Sequence, residues 1–233
     1  YLLWVYPMPD AVGITVDAQY YDAFLSDSSG LSATAISGYD GTSFAQAAAV
    51  TAYKYAIAIS YGSIDAYATS GEFGFSQAIG IEVDGGYGAY LSVGGDISAT
   101  AISGYDGDSQ AIGASVTATY KYATAIVNGN IAAYAYSGNY GTAFASGISV
   151  DSGVFGNAYL YAGAGIDATA ISGNYGISSA QGAYVNGKYY ATAISAGDIS
   201  AYAYSSFQGG SYASGIEVIG EVAYFGTAGN TAA

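Results

Sequence analysis

The eleven residues Ile97–Gly107, ISATAISGYDG, are the phrase that decides the fold. Within it Ala99 and Ala101 alternate with Thr100 and Ile102, and a period of two predicts a strand rather than a helix. The GYDG that follows has the glycines and the aspartate typical of a turn. One copy of the phrase therefore predicts one strand and one turn.

Variant copies of this phrase recur roughly every 33 to 35 residues, a period typical of solenoids and stacked arrays. Three strands are predicted per repeat, as at 97–103, 109–116 and 120–127, with Gly-, Asn- or Asp-containing turns between them. The sequence predicts an apolar N-terminal arm over residues 1–11 and a single repetitive β domain over 12–233. That domain comprises a half unit at 12–30 and units that start at Leu31, Ile64, Ile97, Ile131, Ile166 and Ile199.

A doubled period overlies the shorter one. Alternate units carry ATAIS and either AYATS or AYAYS, and the lysines and one set of aspartates each recur once in every two units. Three strands per unit would reverse the direction of each successive unit in an antiparallel meander, which gives such a doubled period a cause. Val185–Lys188 (VNGK) and Val83–Gly86 (VDGG) also have hairpin chemistry. The predicted fold is therefore all-β, a long antiparallel meander sheet of about 20 short strands, curved or folded over; the alternative is a β-solenoid.

In that meander, charged residues collect on two unlike edges. One edge carries Lys54, Lys121 and Lys188. The other carries Asp17, Asp84, Asp151, Asp40 and Asp106, together with Asp65 and Asp198. Copies stacked edge to edge would match a lysine row to an aspartate row. Exposed ion pairs contribute only about 0–1 kcal/mol each, so these pairs would set the register of an assembly rather than hold it together.

The composition excludes several classes of function. The net charge is −14 with three Lys and no Arg, which lacks the basic footprint of a nucleic-acid binder. No apolar run is long enough for a membrane helix. Without His or Cys the usual acid–base, thiol and zinc chemistries are missing, and the acids repeat with the turns instead of forming one unique pair. We expect a protein that is not an enzyme and has no cofactor, exported after removal of a signal peptide.

Three further features have binding interpretations. Asp106 and Asp108 flank Gly107 and are weak calcium candidates. The 27 tyrosines are expected to pack across strands, and an exposed row of them would suit glycans or oxidative Tyr–Tyr cross-links. The apolar arm is predicted to form an edge strand or to add a strand to a neighbouring copy. Its residues are Tyr1, Leu2, Leu3, Trp4, Val5 and Tyr6.

The tandem ATAISG and AYAYSG phrases, the Tyr and Gly content and the scarcity of basic residues resemble the tubular sheath proteins of methanogenic archaea. The resemblance covers Val12–Asn230 and implies lateral and axial assembly of β-sheets outside the cell. It favours a structural, self-assembling subunit of an extracellular sheath, fibre or surface layer. Its partners would be copies of itself, with neighbouring cell-envelope proteins or glycans as further partners. The alternative is a cell-surface adhesin or glycan-binding β-repeat protein.

Overall fold

The computed structural model of this chain is a parallel β-solenoid, and it describes residues 10–228 and 231–232. The arm residues Tyr1–Tyr6 lie outside the described residues. The chain visits three sheets in turn, so three consecutive strands make one coil, and seven coils stack along one axis. At about 4.8 Å per coil, the six steps between coils span roughly 29 Å.

Each sheet contains seven strands, one from every coil. Sheet A consists of β1 (Asp10–Ala18), β4 (Ser43–Ala52), β7 (Phe75–Gly85), β10 (Asp108–Ala118), β13 (Thr142–Ser152), β16 (Ile177–Gly187) and β19 (Gly210–Ile219). Sheet B consists of β2 (Ala23–Asp27), β5 (Tyr55–Ser60), β8 (Gly88–Val93), β11 (Tyr122–Val127), β14 (Asn157–Ala162), β17 (Tyr190–Ser195) and β20 (Val222–Thr227). Sheet C consists of β3 (Leu31–Ile36), β6 (Ile64–Thr69), β9 (Ile97–Ile102), β12 (Ile131–Tyr136), β15 (Ile166–Ser172), β18 (Ile199–Ser205) and β21 (Thr231–Ala232).

Every strand pairs in parallel with the equivalent strand of the next coil. In sheet C, for example, Ala99 is in register with Ala66 on one side and Ala133 on the other. The prediction of an all-β fold with three strands per repeat is right, but the antiparallel meander is wrong. The three strands of a repeat enter three different sheets instead of lying side by side in one.

The inward-facing residues form continuous columns along the axis. Ala99 and Ala101 are buried while Thr100 and Ile102 face outward, as the alternation of the phrase predicts. The most regular column lies on sheet C, where an apolar side chain starts each of the first six strands. It contains Leu31, Ile64, Ile97, Ile131, Ile166 and Ile199, all buried.

Two other inward columns alternate between large and small side chains. On sheet A the register places Ile81 between Ala48 and Ala114. On sheet B it places Leu91 between Ala58 and Ala125. The odd-numbered coils therefore carry the large residues and the even-numbered coils the small ones. Since a large side chain can extend over the alanines of both neighbouring coils, this packing accounts for the doubled period without any reversal of the chain.

A column of glycines lies in the middle of sheet A, where this sheet approaches sheet C. Gly80, Gly113, Gly147 and Gly182 occupy equivalent positions, and the inward–outward alternation slips by one residue there. A Cβ on Gly113 would lie 2.4 Å from the carbonyl oxygen of Gly147 and 2.8 Å from Cγ2 of Ile131. The glycines thus permit the close approach of sheet A to the isoleucine column of sheet C.

The turn from sheet C to sheet A, here called the C–A corner, has the same construction in successive coils. In the phrase itself Ser103 is buried and donates a hydrogen bond to the carbonyl oxygen of Gly107 at 2.7 Å. A Cβ on Gly107 would lie 2.4 Å from the carbonyl oxygen of Gly74. The second glycine of SGYDG is therefore needed for coils to stack closely at this corner, and in this coil the serine hydrogen bond holds the turn together.

The two hairpin signals do not form hairpins: the first three residues of each end a strand of sheet A, and the fourth lies in the turn to sheet B. Asp84 and Gly85 end β7, and Asn186 and Gly187 end β16. Their backbones run parallel to those of the neighbouring coils, so the polar residues with hairpin chemistry belong to an outward column and to the strand ends.

Candidate interaction surfaces

One aromatic side chain from each of six turns lines the C–A corner, and we call this row the aromatic ladder. The ring centroids are 5.3 Å apart between Tyr39 and Phe73, and 5.8 Å apart between Tyr105 and Tyr140. All its members are exposed, so the ladder contributes little to the core. Its members are Tyr39, Phe73, Tyr105, Tyr140, Tyr175 and Phe207.

Two ladder tyrosines are held in an unusual backbone conformation. Tyr140 and Tyr175 have φ values of 64° and 60°, in the left-handed region that side chains other than Gly seldom adopt. Their rings stack at 5.1 Å with an interplanar angle of 6°. Beneath them the Oδ1 atom of Asn139 accepts a hydrogen bond from the backbone N–H of Asn174 at 2.8 Å. The GNYG sequence marks this turn, but only the structure shows that its tyrosines stack.

The outward face of sheet C continues the aromatic ladder, and we call it the tyrosine face. Its two central columns alternate by coil between Thr or Ile and Tyr, except that Thr69 takes the place of a Tyr in coil 2. Several members are strongly exposed, such as Ile36 at 64% and Tyr202 at 54%. A broad surface of this kind on one side of a protein is typical of a contact region. Its columns contain Thr34, Tyr67, Thr100, Tyr134, Thr169 and Tyr202, and Ile36, Thr69, Ile102, Tyr136, Ile171 and Tyr204.

All three lysines lie on the turn from sheet A to sheet B, here called the lysine corner. Lys54, Lys121 and Lys188 follow the sheet A strands of coils 2, 4 and 6 and are exposed. The ammonium of Lys54 lies 5.7 Å from the ring centroid of Tyr21, a cation–π distance. Among the described residues, no Asp or Glu carboxylate lies close enough to pair with any of these lysines.

Two similar open clefts adjoin the first two lysines. One, of about 330 Å³, is lined by Lys54 with Tyr53, Tyr55 and Tyr87. The other, of about 310 Å³, is lined by the equivalent residues two coils later, where Phe155 takes the place of Tyr87. Its lining residues are Lys121, Tyr120, Tyr122, Phe155 and also Tyr87.

The first set of predicted aspartates adjoins the lysine corner. Asp17, Asp84 and Asp151 form an outward column at the end of sheet A, in the odd-numbered coils, alternating with threonines or Asn186. Two unlike edges follow only from the meander and therefore have no basis in this fold. A role for these residues in assembly stays a prediction.

The other predicted acids lie elsewhere. Asp40 and Asp106 belong to the C–A corner, beside the aromatic ladder. Asp65 is on the outward face of sheet C, and Asp198 is in the turn from sheet B to sheet C. These four carboxylates thus do not share the corner of the three lysines.

Partial burial shifts three titratable groups at the end of sheet A. Burial raises the pKa of the Asp84 carboxyl above its ordinary value. Burial also raises the pKa of Asp151, although a hydrogen bond from Asn186 at 3.1 Å acts in the opposite direction. The pKa of Tyr184 is raised by burial and by the nearby charges of Asp151 and Glu217. Burial therefore disfavours the charged forms of Asp84 and Asp151 in the folded chain.

The calcium candidates have different surroundings. The backbone N–H of Asp106 donates a hydrogen bond to the carbonyl oxygen of Glu72 at 2.7 Å, and the Oδ1 atom of Asp108 accepts one from the backbone N–H of Thr142 at 2.8 Å. Within residues 10–228 no three acidic side chains converge as a metal site would require. Calcium binding at Asp106 and Asp108 stays a prediction.

The described part of the chain contains no helix that is long and apolar enough to cross a membrane. Comparison with known proteins gives no relatives: no family model, no curated protein and no solved structure matches this chain.

Proposed function

We propose that this chain is a non-enzymatic building block of an extracellular sheath, fibre or surface layer, in which copies pack side by side along their solenoid axes. The observation that carries the proposal is the tyrosine face with its aromatic ladder. Both repeat along the axis at the spacing of the coils, about 4.8 Å. The partner that matches such a spacing over many coils is another solenoid of the same kind, so a second copy fits better than a small ligand.

Burial of exposed aromatic and aliphatic side chains supplies the driving force for such packing. Ile36 and Phe207 are 64% and 63% exposed in the isolated chain, and association would remove their surfaces from water. Each copy presents the same face, so this contact joins copies in pairs, and growth into a layer requires a second contact between the pairs. An exported protein with three Lys and no Arg would in addition offer few sites to trypsin-like proteases.

Electron microscopy and sedimentation of the purified chain test this proposal. We expect filaments, tubes or sheets that grow with protein concentration. The variant Ile102→Lys/Tyr136→Lys places two charges on the tyrosine face and should remove assembly while leaving the circular dichroism spectrum unchanged. The control Ser92→Lys/Thr124→Lys places the same charges on the outward face of sheet B in the same two coils, and should assemble normally. A wild-type chain that stays monodisperse at every concentration would refute the proposal.

The second candidate is a cell-surface adhesin or glycan-binding repeat protein. Sugar rings stack on exposed aromatic side chains, and the aromatic ladder and the clefts at Lys54 and Lys121 offer such side chains in open positions. Tyrosine fluorescence titrated with soluble glycans discriminates the two candidates. Saturable quenching by a monodisperse protein favours the adhesin.

A further inference from the structure

The lysine corner and the adjoining column of sheet A carry two complementary rows of charge that form no ion pair with each other in the described part of the chain. The lysines occupy coils 2, 4 and 6, and Asp17, Asp84 and Asp151 occupy coils 1, 3 and 5 of the adjoining column. No lysine is paired with a carboxylate of residues 10–228. Rows of opposite sign that alternate coil by coil are what a self-complementary contact requires.

We propose that two copies pair antiparallel at the lysine corner, with the even coils of each copy opposite the odd coils of the other. Turning one copy end over end about a two-fold axis between coils 3 and 4 places coils 2, 4 and 6 opposite coils 5, 3 and 1. Lys54 then faces Asp151 of the second copy, and Lys121 faces its Asp84. Lys188 likewise faces Asp17. The two-fold symmetry repeats these three contacts, so all six lysines of the pair face a carboxylate.

Two copies with parallel axes would not match their rows of opposite charge in this way. If two copies paired with their axes parallel and their coils level, even coils would face even coils. Lysine rows would then meet lysine rows, and aspartate rows would meet aspartate rows. Shifting one copy by a single coil would restore the matching of charge, but such a contact does not close on itself. The antiparallel arrangement therefore satisfies both charge and closure.

Aromatic side chains of the odd coils fall opposite the clefts beside the lysines in the same register. Phe155, in coil 5, is 63% exposed and faces the cleft of about 330 Å³ at Lys54 of the second copy. Tyr87, in coil 3, faces the cleft at Lys121. Both rings also line clefts of their own copy, so in the pair they pack over the facing cleft, where they gain apolar burial and contacts with Tyr and Lys. The aromatic rings would supply the affinity of the contact, and the charges would set its register.

The overall charge of −14 per copy opposes association only weakly at physiological salt. The Debye length there is about 8 Å, so groups that do not face each other across the contact are largely screened. The lysine corner and the tyrosine face are different surfaces, so this contact rests on the proposed self-assembly only in that both join copies of the chain. Packing through one surface and pairing through the other would give each copy two neighbours and so link the copies into a continuous chain.

A charge swap tests the pairing. The variant Lys54→Glu/Lys121→Glu/Lys188→Glu and the variant Asp17→Lys/Asp84→Lys/Asp151→Lys each make the corner of a single sign. Sedimentation on an Ile102→Lys/Tyr136→Lys background, which removes the other contact, should show pairing weakened by about a hundredfold or more in each variant alone. An equimolar mixture of the two should pair again. The control Asp40→Lys/Asp65→Lys/Asp106→Lys carries the same change in net charge elsewhere and should not pair with the glutamate variant.

A cysteine experiment tests the orientation, because the chain has no cysteine of its own. Tyr53→Cys lies in coil 2 and Val154→Cys in coil 5. Antiparallel pairs should form a disulfide between a Tyr53→Cys copy and a Val154→Cys copy, whereas each variant alone should not cross-link. Rapid cross-linking of Tyr53→Cys with itself would overturn the antiparallel arrangement.

The two proposals fail in different ways. If the aspartate-to-lysine variant does not fold, Asp17→Asn/Asp84→Asn/Asp151→Asn takes its place and should weaken pairing by a smaller factor. Assembly that is lost in the tyrosine-face variant but unaffected by every change at the lysine corner overturns the pairing and leaves the proposed function standing. A discrete dimer that depends on the lysine corner, without any larger assembly, overturns the proposed function and supports the pairing.

Discussion

Coils 3 and 4 follow the same backbone path but differ in what they carry. Coil 3 has Ile81 and Leu91 inside and Asp84 outside, whereas coil 4 has Ala114 and Ala125 inside and Thr117 outside. The main chain thus repeats every coil while the side chains repeat every second coil. The comparison shows that a doubled sequence period can come from alternating side-chain volume alone, with no change in strand direction.

We expect the largest loss of stability when a large buried residue is removed from an odd coil. Leu91 is fully buried between alanines, so Leu91→Ala leaves a cavity that the two neighbouring coils cannot fill. We expect a loss of about 2–5 kcal/mol in the free energy of unfolding, measured by urea denaturation. The adjacent Tyr90→Ala, on the outward face, serves as the control and should cost clearly less. Equal losses would mean that the odd coils do not support the core through this column.

Adding a large residue to an even coil tests the same alternation from the other side. Ala125→Leu would place three leucines in succession, at 91, 125 and 160, and the crowding should cost about 1–3 kcal/mol. The double variant Leu91→Ala/Ala125→Leu should lose less than the sum of the two single losses, because the leucine gains space on one side. Strict additivity in chemical denaturation would show that the two coils do not share this space.

The C–A corner should be insensitive to coil type and sensitive only to hydrogen bonding. Ser103 donates a hydrogen bond to the Gly107 carbonyl, whereas the Oγ of Ser137, equally buried, has no partner among the described residues. Ser103→Ala should therefore cost about 1 kcal/mol, and Ser137→Ala should be neutral or stabilising. Thermal unfolding of the two variants side by side measures the difference. A larger loss in Ser137→Ala would contradict this assignment.

We expect the smallest change in stability when an outward charge of an odd coil is removed. Burial raises the folded-state pKa of Asp84 above the ordinary value of 3.8, so the charged form is disfavoured in the folded chain. Because solvent screens this half-buried carboxyl, Asp84→Asn should stabilise the protein at pH 7 by only up to about 0.5 kcal/mol. As pH falls through the raised pKa the wild-type carboxyl becomes neutral, and the advantage of the variant should disappear near and below 3.8.

Melting temperatures of the wild type and Asp84→Asn, measured at pH 7 and at pH 3.5, test this prediction. Asp17→Asn, at the more open equivalent position in coil 1, is the matched control and should change stability at neither pH. An advantage of Asp84→Asn that persists at the lower pH would assign the effect to something other than the burial of charge.

Local features of this fold could be predicted from the sequence, because alternation and turn chemistry are properties of neighbouring residues. The burial of Ala99 and Ala101, the outward position of Thr100 and the turn at GYDG follow from the phrase alone. Strand direction does not, since parallel and antiparallel strands of this length share the same alternation. The doubled period is visible in the repeats, but its cause, the alternation of Ile81 with Ala114, lies in contacts between coils.

The candidate surfaces also have some features that could be predicted from the sequence and others that could not. The sequence identified the lysine and aspartate rows by their doubled spacing, but their common corner depends on which strands follow which sheets. The tyrosines were expected to pack across strands, whereas many of them stand on corners and outward faces. The left-handed conformation of Tyr140 and Tyr175 was not foreseen, because tyrosine does not favour it; the preceding Asn139 and Asn174 were the available signal.

The alternation of large and small layers also sets the unit in which such a protein can change length over evolution. After tandem duplication or deletion of two coils, layers of large side chains still lie next to layers of small ones, and every column keeps its alternation. Loss of the single even coil that carries Ala114 and Ala125 would bring two layers of large residues into direct contact, with two aspartate positions adjacent outside. The heritable unit of this solenoid is therefore the pair of coils, although the single coil is its unit of shape.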